Sequence, residues 1–318
     1  MTSPDVAELV ARAGAGEALA VGRLLSLVEA GGARGRQVAS ALADDGGRAH
    51  VVGLTGPPGV GKSTTTSALV AALRARGSRV GVLAVDPSSP FSGGALLGDR
   101  VRMTEHAEDP GVFIRSMATR GQLGGLAGAT PQALRVLDAA RCDVVLIETV
   151  GVGQSEVDVV ALADTTVVLL APGMGDGVQA AKAGVLEVAD VFVVNKADRD
   201  GATQAVRELR HMIGFGERGE WRVPVLRTVA SRGEGIAELV AALDAHRQWS
   251  DGSGERDRRR VARAEAEIEA VAVTRLRARI RDADGGAGLA DLAKRVVAGE
   301  LDPYAAADEL QPGLVEPG

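Results

Sequence analysis

The sequence predicts an α/β fold with a doubly wound, mainly parallel sheet, and three observations carry that prediction. From residue 49 onward, short runs of Val, Leu and Ile alternate with segments of helical spacing: AHVVGLTG, RVGVLAVD, VFIRSM, CDVVLIET, TTVVLLAP, VFVVNK and PVLRTVA. These runs are continuously apolar, the pattern of strands buried on both faces. Hydrophobic residues make up 46% of the 318 positions but aromatics only 2%, so a sizeable core must be built from aliphatic side chains, as a helix-covered sheet allows.

In chain order, residues 1–47 carry Ala- and Leu-rich helical patterns broken at Gly31 and Gly32, and read as an N-terminal helical extension. Residues 48–248 hold the strand and helix alternation and form the main domain. After Trp249 the stretch SDGSGERD reads as a hinge, opening a C-terminal helical region over 249–318. Within it, residues 255–281 place Val261, Ala264, Ile268, Val271 and Thr274 at three- and four-residue spacing on a long helix. Its arginines are interleaved with Glu265, Glu267 and Glu269, which describes a solvated face rather than a basic patch. So narrow an apolar stripe on so long a helix predicts packing on another chain.

Composition narrows the setting. A net charge of -6 argues against a general nucleic-acid surface, and the single cysteine, Cys142, argues against a disulfide framework. Cys142 begins a strand and reads as a small buried hydrophobe. Asp5, Glu8, Arg12 and Glu17 interrupt the N-terminus too often for a signal peptide, and no later run approaches a membrane span. The expectation is a cytoplasmic protein with neither nucleic-acid nor membrane partners. His50, His106, His211 and His246 lack metal-ligand spacing.

Between the first strand and the first helix of the main domain lies GPPGVGKST: Gly56, Pro57, Pro58, Gly59, Val60, Gly61, Lys62, Ser63 and Thr64. It matches GxxxxGK[ST] in the strand, loop and helix setting that this motif needs. The glycines let backbone N–H groups turn toward phosphate oxygens, and the helix N-terminus adds its partial positive charge. Lys62 is placed for the β- and γ-phosphates, the Ser63 hydroxyl for Mg²⁺, and Thr64 for the α-phosphate.

The sixth run ends in NKAD. The Asp198 carboxylate can accept hydrogen bonds from guanine N1–H and its exocyclic amine, donors that adenine does not offer there. Asn195 can meet the N7/O6 edge, and the Lys196 stem can cover the base. In TVASRGEGI, the Ala230 N–H is placed for guanine O6, with Ser231 following. Phosphate loop, NKAD and this last element agree on GTP or GDP as the bound nucleotide.

The second strand ends in Asp86, which opens DPSSPFSGGALLGDRVRM. Asp86 is a candidate ligand of Mg²⁺ or its water. Asp99 lies on a glycine-rich loop that could swing toward the γ-phosphate, or is a helix N-cap. In ETVG, Glu148 stands where such hydrolases usually carry Asp, and Gly151 could donate its N–H to the γ-phosphate. Val152 follows Gly151, so the nearest water-orienting candidate is Gln154. Spacing selects no arginine finger among Arg100, Arg102, Arg115 and Arg120.

Together these residues resemble P-loop GTPases in which Glu replaces the Asp of the third guanine-nucleotide motif. The closer resemblance is to the MeaB/ArgK type, the GTPase chaperones of adenosylcobalamin-dependent methylmalonyl-CoA mutase. It is carried by GPPGVGKST, DPSS with GGALLGDRVRM, ETVGVGQSE, PGMGDGVQAAKAGVLEVAD, NKAD and AGELDPYAAADEL, and spans most of the chain. The resemblance implies that residues 173–187 are an additional switch whose Lys182 relays nucleotide state to the mutase. It also implies a homodimer through the C-terminal arm, and an adenosyltransferase that delivers adenosylcobalamin as a further partner. Hydrolysis would be in-line attack of water on the γ-phosphate, with Mg²⁺ and Lys62 stabilising charge, slow alone and raised by the partner. Two alternatives stay open: a metal-insertion GTPase, and a GTP-binding regulatory module or kinase linked to basic amino-acid transport.

Overall fold

The computed structural model describes residues 5–43, 47–86, 103–118, 129–149, 161–173, 188–215, 220–282 and 288–310. Three helices come first: α1 (Val6–Gly14), α2 (Ala18–Ala30) and α3 (Gly32–Ala41). Gly31 separates the last two with a φ of 68°, a turn that an L side chain would strain. The main body then runs β1 (His50–Thr55), α4 (Lys62–Ala75), β2 (Val80–Asp86), β3 (Val112–Ala118), α5 (Thr130–Ala139), β4 (Val144–Thr149), β5 (Thr165–Leu170), β6 (Val191–Val194), α6 (Ala202–Phe215), β7 (Val225–Arg227) and α7 (Ile236–Ser253).

The seven strands form one sheet in the order β3-β2-β4-β1-β5-β6-β7. Every pairing is parallel, as the unbroken apolar runs predict. Alternate residues feed opposite layers. Val51, Leu83, Val85, Val145 and Ile147 pack with α1, α2, α3 and α5, whereas Val52, Leu54, Val82 and Leu146 pack with α4 and α7. The N-terminal helices therefore supply part of one covering layer: Leu9, Leu24, Val38 and Leu42 are buried in the same cluster as β4.

The order of strands reverses about β1, where chain direction leaves on one side through β2 and returns on the other through β5. Ligands of open α/β sheets bind beyond the carboxyl ends of the strands at such a switch point. The phosphate loop follows β1, and Glu148 lies at the matching end of neighbouring β4, in register with Leu54 of β1 and Ala84 of β2.

The expected hinge at SDGSGERD shortens to one residue. Helix α7 continues to Ser253, and α8 (Glu255–Asp282) begins after Gly254, whose φ is 72°. Trp249 stacks with Trp221 and His246, and Ser250 is buried, so this stretch has tertiary packing that its polar composition does not advertise. The chain divides into compact units Met1–Arg263 and Ala264–Gly318. The first takes in the opening turns of α8, because their arginines reach two buried aspartates at the amino ends of β5 and β6. Arg259 donates to Asp190 through both terminal guanidinium nitrogens at 2.7 and 2.9 Å. Arg260, Arg263 and Arg256 lie 3.2, 3.5 and 3.8 Å from Asp164.

In the second unit, α9 (Leu289–Val297) meets α10 (Pro303–Leu310), burying Leu292 and Ala306, and Arg295 pairs with Glu309 at 2.6 Å. On α8, Ile268, Val271 and Leu276 are exposed. Among the described residues no helix is long and apolar enough to cross a membrane.

Candidate nucleotide site

The loop from Gly56 to Gly61 turns back over the ends of β1 and β5, and two glycines are sterically required. A Cβ on Gly56 would lie 2.2 Å from the Leu169 carbonyl oxygen, at a φ of 141°. One on Gly61 would lie 2.5 Å from Asn195 Nδ2, at a φ of 95°. Gly61 then caps α4, whose first residue is Lys62. The N-terminus of α4 thus faces the concavity of the loop, an arrangement of N–H groups and helix dipole that attracts phosphate.

Lys62 is buried, and its ammonium donates to the carbonyls of Gly56 at 2.5 Å and Pro57 at 3.3 Å. These bonds hold the side chain folded back along the loop. Val60 is buried beneath the loop, Ser63 is half-buried on the first turn of α4, and Thr64 is exposed.

The NKAD turn and the 228–230 turn are tied to the phosphate loop by Asn195. Its amide nitrogen donates to the Val60 carbonyl at 2.8 Å, and its oxygen accepts from the Thr228 hydroxyl at 3.0 Å and the Ala230 N–H at 3.1 Å. Asn195 is therefore a brace between three segments. Its oxygen is filled by protein donors, leaving one amide hydrogen to offer the base edge. The Ala230 N–H, expected for guanine O6, here donates to Asn195. Lys196, at a φ of 56°, lays its ammonium on the Gly59 carbonyl at 2.6 Å. Asp198 keeps a partly exposed carboxylate 3.4 Å from Arg232, and Ser231 sits in the short 3-10 turn Ala230–Arg232.

Glu148 is completely buried. Its Oε2 accepts a hydrogen bond from the Thr66 hydroxyl at 2.5 Å, and Thr66 is likewise inaccessible. The carboxylate therefore lies between the end of β4 and α4. Asp86 ends β2 two residues beyond the partner of Glu148, at the same edge of the sheet. Asp99, Gly151, Gln154 and Lys182 fall outside the described residues, as do the Asp86 side chain, Arg100, Arg102 and Arg120. Arg115 is committed elsewhere: it binds Glu29 and Ser26 of α2, away from the phosphate loop.

Three participants escape a motif reading: Thr66, Thr228 and Arg232. Thr66 belongs to an unusual run, STTT, at the start of a helix where β-branched residues are poor formers, and that is the one sequence signal of a side-chain role. Cys142 is buried as expected, and burial pushes its thiol up to about 12, which keeps it protonated and unreactive.

Comparison with known proteins places this geometry. The family model described as methylmalonyl-CoA mutase-associated GTPase MeaB matches residues 21–285. A protein of Pyrococcus abyssi named as a GTPase is 45% identical over 317 residues, covering 98% of this chain and 97% of that one. The GTPase ArgK of Escherichia coli is 38% identical over 248 residues, 75% of each chain. The mouse methylmalonic aciduria type A homolog is 43% identical over 209 residues, covering 64% of this chain and half of its own. A crystal structure described as an LAO/AO transport system kinase superposes with a TM-score of 0.71 at 26% identity, covering 99% of both chains.

Proposed function

The chain belongs to the MeaB family of methylmalonyl-CoA mutase-associated GTPases, and from that membership we propose that its GTP hydrolysis gates adenosylcobalamin loading and protection of a methylmalonyl-CoA mutase. The family match over residues 21–285 is the observation that carries this reading, because it spans every expected guanine-nucleotide element as well as the whole of α8.

The chemistry follows from the site. Lys62 and the N–H groups at the start of α4 bind the phosphate chain and offset charge that builds on the transferring group. Asn195 holds the base-reading turn against the phosphate loop, so that Asp198 meets guanine while Lys62 meets phosphate. The oxygen donors Ser63, Asp86, Asp99 and Glu148 suit a hard divalent cation, and the adjacent strand ends bring Asp86 and Glu148 to one edge of the sheet. When bound there, Mg²⁺ supplies neutralisation of the β- and γ-phosphate charge. Gly151 and Gln154 are assigned to the γ-phosphate and the attacking water, and Lys182 to the segment that signals nucleotide state to the mutase. Turnover is slow alone and rises on contact with the partner.

The exposed Ile268, Val271 and Leu276 support self-association through α8, with sides 69%, 40% and 47% accessible in the single chain. Sedimentation velocity tests both partners together. The protein alone should sediment as a dimer, and added mutase should form a complex whose stability differs between GTP and GDP. A monomer that ignores mutase with either nucleotide would overturn the reading.

A further inference from the structure

We propose that Thr66 is the positioning residue for Glu148 in GTP hydrolysis. The proposal rests on the reading of Glu148 as a member of the hydrolytic site.

Thr66 stands one helical turn beyond Lys62, about 6 Å further along α4. Its hydroxyl has two acceptors within reach: the Lys62 carbonyl at 3.0 Å and Glu148 Oε2 at 2.5 Å. A hydroxyl carries one proton and makes one strong donation. The shorter contact takes it, because a carboxylate is the better acceptor and O–H···O⁻ bonds fall near this length. The contact therefore holds Glu148 Oε2 from the P-loop helix.

The glutamate needs this support more than an aspartate would. The extra methylene adds one rotatable bond, and with it a carboxylate that can sweep a wider arc at the end of β4. Both side chains are wholly inaccessible, so no water competes for the bond. Fixing Oε2 fixes the outer torsions of Glu148 with respect to Lys62 and Ser63, the residues that share α4 with Thr66. Thr66 thus couples the strand end carrying the acid to the helix carrying the phosphate ligands. Its neighbour makes a parallel tie, since the Ser67 hydroxyl bonds Glu105 and lies 3.0 Å from His106 Nε2, but that tie leads away from β4.

The test compares steady-state GTP hydrolysis by the full chain as wild type, Thr66→Val, Thr66→Ser, Glu148→Gln and the double variant Thr66→Val/Glu148→Gln. Thr66→Val should lower kcat by about 10- to 100-fold with KM for GTP within about twofold, the size expected when a support for a ligating or reacting group is lost. Thr66→Ser keeps the hydroxyl and should recover most of kcat. In the Glu148→Gln background, Thr66→Val should have no further effect, because its action passes through the carboxylate. Unchanged kcat in Thr66→Val overturns the proposal, and so does an equal loss in both backgrounds. If Glu148→Gln itself hydrolyses GTP normally, the assignment of Glu148 falls and the proposal with it. Should Thr66→Val fail to fold, Thr66→Ala replaces it in the same cycle, with the same outcomes deciding.

Discussion

At the residue scale we propose that Asp198 carries the choice of base, through a carboxylate that accepts hydrogen bonds. Guanine presents two donors to it, and loss of either leaves one of its acceptor positions against the base without a partner. Asp198→Asn replaces one acceptor by a donor, which suits xanthine. GTP affinity should fall by about 100-fold or more while xanthosine triphosphate binds in its place, as read by nucleotide titration. Unchanged GTP affinity would refute the assignment. Arg232, 3.4 Å from Asp198, is largely exposed and so well screened that its removal should matter far less. At this scale the sequence named Lys62, Asn195 and Asp198 because their motifs are contiguous. It did not name Thr66 as the partner of Glu148, since 82 residues separate them and only the packing of α4 against β4 brings them together. Beside its expected base contact, Asn195 is also a brace whose partners come from the phosphate loop and the 228–230 turn.

At the scale of elements, the amino ends of β1, β5 and β6 meet in a buried polar cluster. His50 Nε2 and His246 Nδ1 each lie 2.7 Å from the Thr165 hydroxyl, and His246 lies 3.2 Å from Asp190. Burial drives His50 down from its ordinary 6.5 to about 4, so it is neutral in the folded protein across the acidic range where the unfolded chain takes up a proton. Between those values the unfolded state binds more protons, so stability should fall as pH drops from 6.5 toward 4, by about 3 kcal/mol at most. Thermal melts across that window should flatten in His50→Gln, which retains a group for Thr165; an unchanged slope would assign the loss elsewhere. Asp190 acts in a separate window. Burial alone would raise its pKa, but hydrogen bonds from His246 and Arg259 hold it below the ordinary 3.8. Its contribution is present above 3.8 and is lost only as pH falls further. The cluster was illegible in sequence for a physical reason: its aspartates precede strands and its arginines open a helix, positions that also describe ordinary solvated caps.

Across the whole molecule, one sheet serves two purposes at its two ends. The carboxyl ends of β1, β4 and β6 carry the phosphate loop, Glu148 and Asn195, and the amino ends of β5 and β6 anchor the first turns of α8 through Asp164 and Asp190. The central strands were legible because a parallel sheet covered on both faces leaves uninterrupted aliphatic runs. The participation of α1, α2 and α3 in a covering layer was not, because an amphipathic helix does not reveal which surface it meets. We propose that hydrolysis at one end of this sheet controls cofactor transfer to a mutase. Its most direct measurement is the rate at which adenosylcobalamin enters mutase that lacks it, with this protein and either GTP or a non-hydrolysable analogue. The account predicts loading that proceeds with GTP and stalls with the analogue. Equal loading rates with GTP, with the analogue and with the protein omitted would contradict it.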